Sequence, residues 1–153
     1  MARADAVTRD RSSLHEEDFY RWTQQQAALL REGRLDQLDI ANLTEEIEDL
    51  GRSEKRAIES NLVVVLKHLL KWQFQPRRRS RSWLSSIAEH RRRLRDDLEA
   101  SPSLRPYAVE RLSRCYQDAR RQALIETGLA ASAMPLEPPY TLDQVLDPDF
   151  LPV

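Results

Sequence analysis

Between Ile40 and Trp72, large apolar residues return at every third or fourth position: Ile40, Leu43, Ile47, Leu50, Ile58, Leu62, Val65, Leu66, Leu69 and Trp72. That spacing lays them along one face of an α-helix and does not fit a strand, whose side chains alternate with a period of two. An unbroken helix over residues 39–74 would be about 54 Å long at 1.5 Å per residue, longer than a small domain needs. Glycine costs about 1 kcal/mol against alanine inside a helix. The sequence therefore predicts a bend, or two helices meeting, near Gly51 and Ser53. Pro76 ends the element, because the residue before a proline avoids helical dihedrals.

The rest of the chain reads in the same way. Ser13-Leu14-His15-Glu16 has the pattern of a capping box, in which serine and glutamate satisfy free N–H groups at a helix start. A helix over about 16–32 then carries Phe19, Trp22, Gln26, Leu29 and Leu30, and Gly33 stands where it should stop. Residues 34–38 are a connector, and residues 76–81 a loop. A helix over about 82–99 has Trp83, Ile87, His90, Leu94 and Leu98 on one face. After Ser101-Pro102-Ser103, a helix over about 103–127 carries Leu104, Ala108, Leu112, Cys115, Ala119 and Ala123, with Val109 and Tyr116 alongside and Gly128 just past its end.

The expected architecture is all-α: an antiparallel bundle of four to five helices over 13–128, preceded by a disordered N-terminus over 1–12. An extended, proline-rich C-terminal strap over 129–153 is expected to pack on the bundle. It has a helical turn at 142–146, and its anchors are Met134, Leu136, Tyr140, Leu142, Val145, Leu146 and Phe150. The length, 153 residues, suits one domain. Cys115 is the only cysteine, so no internal disulfide can form, and a reducing, cytoplasmic compartment is expected. The first eleven residues lack the apolar run of a signal peptide. The longest apolar stretch, Leu62 to Leu66, falls far short of the ~20 residues that span a bilayer, so no membrane partner is expected.

A net charge of -1 conceals strong segregation. Lys67 to Arg95 holds ten basic residues against one acid, Glu89, whereas Asp36 to Glu59 holds eight acids against three bases. Of the 24 Lys and Arg residues, 21 are arginine, whose planar fork pairs with carboxylates and phosphates and stacks on aromatic rings.

Several ordered motifs resemble one family. They are Asp18-Phe19-Tyr20-Arg21-Trp22, the run from Asn42 through Thr44-Glu45-Glu46 to Gly51, and His68-Leu69-Leu70-Lys71-Trp72. Ser82-Trp83, Pro102-Ser103-Leu104, Tyr116, Ala119-Arg120, Glu126-Thr127-Gly128-Leu129 and Pro139-Tyr140-Thr141-Leu142 continue in the same order. Over about residues 14–152 the chain resembles the bacterial family called domain of unknown function 29. The resemblance implies an all-helical fold and no particular activity. The family often has a cysteine before the Pro-Tyr pair, where this chain has Pro138, so cysteine chemistry at that point is absent here.

Glu45 and Glu48 share a helix face and, with His68, are the candidate metal ligands. Neither His68 nor His90 has the Glu-x-x-His spacing of di-iron bundles, so a solvated acidic face and no bound metal is the preferred reading. Glu54, Asn61 and His68 lie at seven-residue spacing, and with His90 they suggest a buried polar network that fixes helix register. Cys115 falls on a core stripe, and Ser82, Ser85 and Ser86 lack a nucleophile-elbow context. No phosphate loop or zinc spacing is present, so the reading leans away from an enzyme and expects no cofactor.

The basic stretch carries the functional reading. Lys71, Trp72, Arg77, Arg78, Arg79 and Arg81 form its first part, and Arg91, Arg92, Arg93 and Arg95 its second. The sequence predicts a protein-interaction module that binds a carboxylate-bearing partner, or a second copy of itself, through these residues. The alternative is nucleic-acid binding by the same arginines, with Trp72, Phe74 or Trp83 stacking on bases. A third possibility is a metal-dependent enzyme at Glu45, Glu48 and His68.

Overall fold

The computed structural model describes residues 14–153. The expected disorder over 1–12, and Ser13 of the capping box, lie outside the described residues. The helices are α1 (Phe19–Arg31), α2 (Ile40–Phe74), α3 (Arg81–Ala100), α4 (Arg105–Thr127) and the short α5 (Leu142–Leu146). Residues 14–17 add a helical turn. Single 3-10 turns occupy Leu35–Gln37, Pro76–Arg78, Pro102–Leu104 and Ala131–Ala133. Among the described residues there is no strand. The fold is all-α, and no described helix is long and apolar enough to cross a membrane. The chain divides into two compact units, one ending at Arg52 and one beginning at Ser53.

In the first unit, Asp18 interrupts the expected 16–32 helix. Its carboxylate accepts the Arg21 N–H at 3.0 Å and so caps α1 afresh. Gly33, at φ 70°, ends the helix in the left-handed conformation that glycine adopts without a side-chain penalty. Trp22, Gln26 and Leu29 are buried as the periodicity predicts, whereas Phe19 and Leu30, at the edge of that stripe, are half exposed. Asp39 joins the two helices of this unit. Its carboxylate accepts the Trp22 indole N–H at 3.0 Å and the Asn42 side-chain amide at 2.8 Å, and its own N–H donates to Gln26 Oε1 at 2.8 Å. That last bond fixes the orientation of the Gln26 amide and leaves its Nε2 without a partner among the described residues.

The predicted break near Gly51 does not occur: α2 runs through it for 35 residues. Ending a helix leaves about four N–H and four C=O groups without partners, which costs more than one glycine does. Arg52 also reaches back to Asp49 at 2.5 Å and Glu48 at 3.8 Å, tying together the turns on either side. The apolar stripe of this helix divides. Ile40, Ile47 and Leu50 are 60%, 66% and 68% exposed, contrary to the expected continuous buried face.

In the second unit the stripe is covered, except at Trp72, which is half-buried. Ile58, Leu62, Val65, Leu66, Leu69 and Leu70 have no exposed surface, so this part of α2 is buried on more than one side. Side-chain pairs give the helix directions. Asn61 meets His90 and Lys71 lies over the Trp83 ring, so α3 runs against α2. Glu59 meets Tyr107 and Arg111, while Lys71 meets Glu126, so α4 runs with α2. The two short connectors, each led by a proline, produce this up-down-up order. Beyond Gly128, which closes α4 at φ 69°, Met134, Tyr140, Leu142 and Val145 enter the same core. Leu146 and Phe150 pack against it, whereas Leu136, expected as an anchor, is 70% exposed.

Because Leu66 is enclosed by this core, Leu66→Ala should cost about 2–5 kcal/mol in urea unfolding. Ile125→Ala, at a side chain 76% exposed, should stay within about 0.5 kcal/mol of the parent.

Candidate functional site

The expected basic surface separates into three kinds of arginine. Arg91 is not on the surface: it is 3% exposed. It follows Ile87 by four residues and precedes Leu94 by three, so it sits on the buried face of α3, where the sequence reading had placed His90. Its Nε donates to the Val145 carbonyl at 2.7 Å, and its two terminal nitrogens donate to Pro148 O at 3.4 Å and Phe150 O at 3.1 Å. Burial lowers the pKa of this guanidinium from its usual value, with Asp147 opposing. Five donors in a rigid fork suit arginine to binding several backbone carbonyls at once.

Arg92 and Arg93 are exposed but neutralised on their own helix. Arg92 pairs with Glu89 at 3.1 Å and Asp96 at 2.6 Å, and Arg93 pairs with Glu89 at 2.8 Å. Hydrogen bonds from these two arginines bring the Glu89 carboxyl down to about 2. Lys71 is buried. Its ammonium donates to Glu126 at 2.6 Å, beside Lys67 at 2.9 Å, and lies 4.6 Å from the centre of the Trp83 ring. Arg79 is exposed but donates to the Trp72 carbonyl at 2.9 Å, with its guanidinium 4.8 Å from that residue's ring centre.

Arg77, Arg78 and Arg81 are the third kind. They stand exposed on and beside the 3-10 turn Pro76–Arg78, and no acid pairs with them among the described residues. Among the described residues Arg95 is also exposed without an ion pair, and it lines two clefts of about 450 and 430 Å³ that share Glu99 and Pro148. Both clefts are lined by acids as well as bases, with Asp96, Asp143 and Asp147 among the acids.

The other candidates have local partners. The Asn61 amide nitrogen donates to Ala57 O at 2.9 Å, which leaves its oxygen facing His90 Nδ1 at 2.7 Å. An amide oxygen only accepts, so His90 carries its proton on Nδ1. The same reasoning applies to His68, whose Nδ1 lies 2.8 Å from Val64 O. Burial lowers the pKa of both histidines, aided by Lys67 and Lys71 at His68 and by Arg93 at His90. Burial raises the Cys115 thiol to about 11, with Glu59 adding to the shift, so it is protonated at neutral pH. Glu48 pairs with Arg52, and no group of three or more His, Cys, Asp or Glu residues is placed to hold a metal ion among the described residues. Glu45, Glu48 and His68 therefore form no such cluster. Sequence reasoning missed the Arg91 clamp and the Arg120 contacts to Ala131 O and Met134 O. The 87–91–94–98 spacing was the available signal for Arg91.

Among the described residues the geometry defines an all-helical fold with an arginine turn that no acid pairs with. Residues 14–151 match the family described as Domain of unknown function DUF29, and the chain belongs to that family. No curated protein and no solved structure matches it. Many residues that carry the family resemblance make structural contacts here. Asp18 caps α1, Tyr116 donates to Pro135 O at 2.6 Å, Glu126 takes both lysines, and Tyr140 donates to Gln73 Oε1 at 2.5 Å.

Replacing Arg91 with methionine keeps its bulk but leaves three carbonyls without their donor. It should cost about 2–4 kcal/mol and speed hydrogen exchange over residues 142–150, whereas Arg92→Met should change stability by less than about 0.5 kcal/mol. Burial raises the Glu126 carboxyl, but Lys67 and Lys71 outweigh it and bring the group to about 2. A carboxyl depressed by folding stabilises fully above its unfolded value near 4.5 and loses that contribution as pH falls toward 2. Glu126→Gln should therefore flatten the decline in melting temperature between pH 4.5 and 2.5.

Proposed function

We propose that this chain is a helical protein-interaction module that recognises carboxylates through the arginine turn at 77–81. The observation that carries this reading is the contrast within the basic stretch. Arg91 is committed to backbone carbonyls and Arg92 and Arg93 to local acids, whereas no acid pairs with Arg77, Arg78 or Arg81 among the described residues. The turn is also preorganised. Pro76 fixes its first dihedral, Arg79 anchors it to Trp72, and Ser80 caps α3 through the Trp83 N–H at 3.3 Å. A rigid turn loses less entropy on binding than a flexible one.

Nucleic-acid binding is the less well supported reading. It needs open aromatic rings for base stacking. The Trp72 ring already carries Arg79, the Trp83 ring carries Lys71, and Phe74 packs against the core.

A labelled glutamate-rich peptide should bind the full chain with an affinity that falls as salt rises. Reversing Arg77, Arg78 and Arg81 to glutamate should weaken it at least tenfold, and Arg92→Gln with Arg93→Gln should leave it unchanged. Equal loss in both variants would count against the turn as the recognition element. A single-stranded oligonucleotide that binds more tightly than the peptide at matched charge would favour the nucleic-acid reading.

A further inference from the structure

Among the described residues of the first unit, several large apolar side chains are exposed. Of the large apolar side chains among them, only Trp22 and Leu29 are buried, while Phe19, Leu30, Ile40, Ile47 and Leu50 are each half exposed or more. Ile40 and Ile47 are seven residues apart and Leu50 three further on, so these three share one face of α2. The unit ends at Arg52, and a chain this short buries a smaller fraction of its surface than a full-sized domain does. Exposed apolar side chains grouped in this way mark interaction sites.

Charge selects the occupant. Residues 14–52 hold ten acids against four Lys and Arg, so two copies of this surface placed face to face would repel. Residues 53–153 hold thirteen acids against seventeen Lys and Arg, and the acid-free turn Arg77, Arg78 and Arg81 is part of that excess. The turn also brings apolar surface, since Pro76 is exposed and Leu84 is 37% exposed. Arginine stems lie along apolar side chains while their forks reach carboxylates. Glu46 and Glu48 flank the Ile47 and Leu50 face of α2 on its two sides, Glu46 lying 2.6 Å from His15 and Glu48 3.8 Å from Arg52.

We infer that the partner of the arginine turn is a second copy of this chain: the acid-rimmed apolar face Ile40–Ile47–Leu50 of one copy receives Arg77, Arg78 and Arg81 of another. This deepens the proposed function and rests on it. The contact is heterologous, because two different surfaces meet, and each copy carries both halves.

The test is light-scattering mass of the full chain across concentration and salt. The mass should rise above the monomer's 17.9 kDa with concentration and fall back toward it with added salt. Two variants then divide the contact: R77E/R78E/R81E spoils the turn, and I47D/L50D spoils the face. Each alone should be monomeric while keeping its helical circular-dichroism signal. Mixed one to one, they should form a complex of twice the monomer mass, since each retains the half that the other lacks. A chain that is monomeric at all concentrations overturns the inference, as does a mixture that fails to associate. If the glutamate-rich peptide still binds the turn in that case, the carboxylate reading stands and only the self-recognition falls.

Discussion

Six side chains on one stretch of α2, from Ile58 to Leu70, have no contact with water, and the second unit is organised around that fact. A helix surrounded this fully cannot be satisfied by one neighbour. α3 and α4 cover it along their lengths, and Met134, Tyr140, Leu142 and Val145 of the C-terminal segment join the same core. Burying a leucine or isoleucine contributes about 1.5–3 kcal/mol, so these few turns supply much of the apolar driving force. The proline-led connectors at Pro76 and Pro102 make the up-down-up path possible by stopping each helix where the next must reverse.

The abundance of arginine has a structural explanation as well as a functional one. The segment after Gly128 contains Pro135, Pro138, Pro139, Pro148 and Pro152 and forms one short helix, so it cannot satisfy its own carbonyls by regular hydrogen bonding. Side chains from the long helices do so instead. Arg91 takes three carbonyls, Arg120 takes two, and Tyr116 and Gln117 take one each. A guanidinium can do this without a carboxylate partner because several carbonyl dipoles together compensate the charge. The arginines that serve neither these carbonyls nor a neighbouring acid then stand apart, and at 77–81 three of them fall on one preorganised turn.

The polar contacts of the two units follow one logic. Asp39 collects the Trp22 indole, the Asn42 amide and, through its own N–H, Gln26. Asn61 and His90 do the same between α2 and α3. Such pairs fix helix register, because an apolar stripe alone tolerates sliding by a turn whereas a buried donor and acceptor must meet.

The periodicity of apolar residues was enough to place the helices within a few positions, because burial of one face imposes a 3.6-residue repeat on the sequence itself. Gly33 and Gly128 marked helix ends correctly, because left-handed backbone favours glycine whatever surrounds it. Gly51 misled, because a helix through it depends on a balance of costs that the residue alone does not carry. The site was less legible. Charge counts found the basic stretch, but only the tertiary structure separated Arg91, turned inward to the carbonyls of Val145, Pro148 and Phe150, from Arg77, Arg78 and Arg81 in solvent. It also showed that Ile40, Ile47 and Leu50 continue the stripe of Ile58 in sequence but not in burial. A side chain's chemistry is written in the chain, whereas its partner is decided by what packing brings within about 3 Å of it.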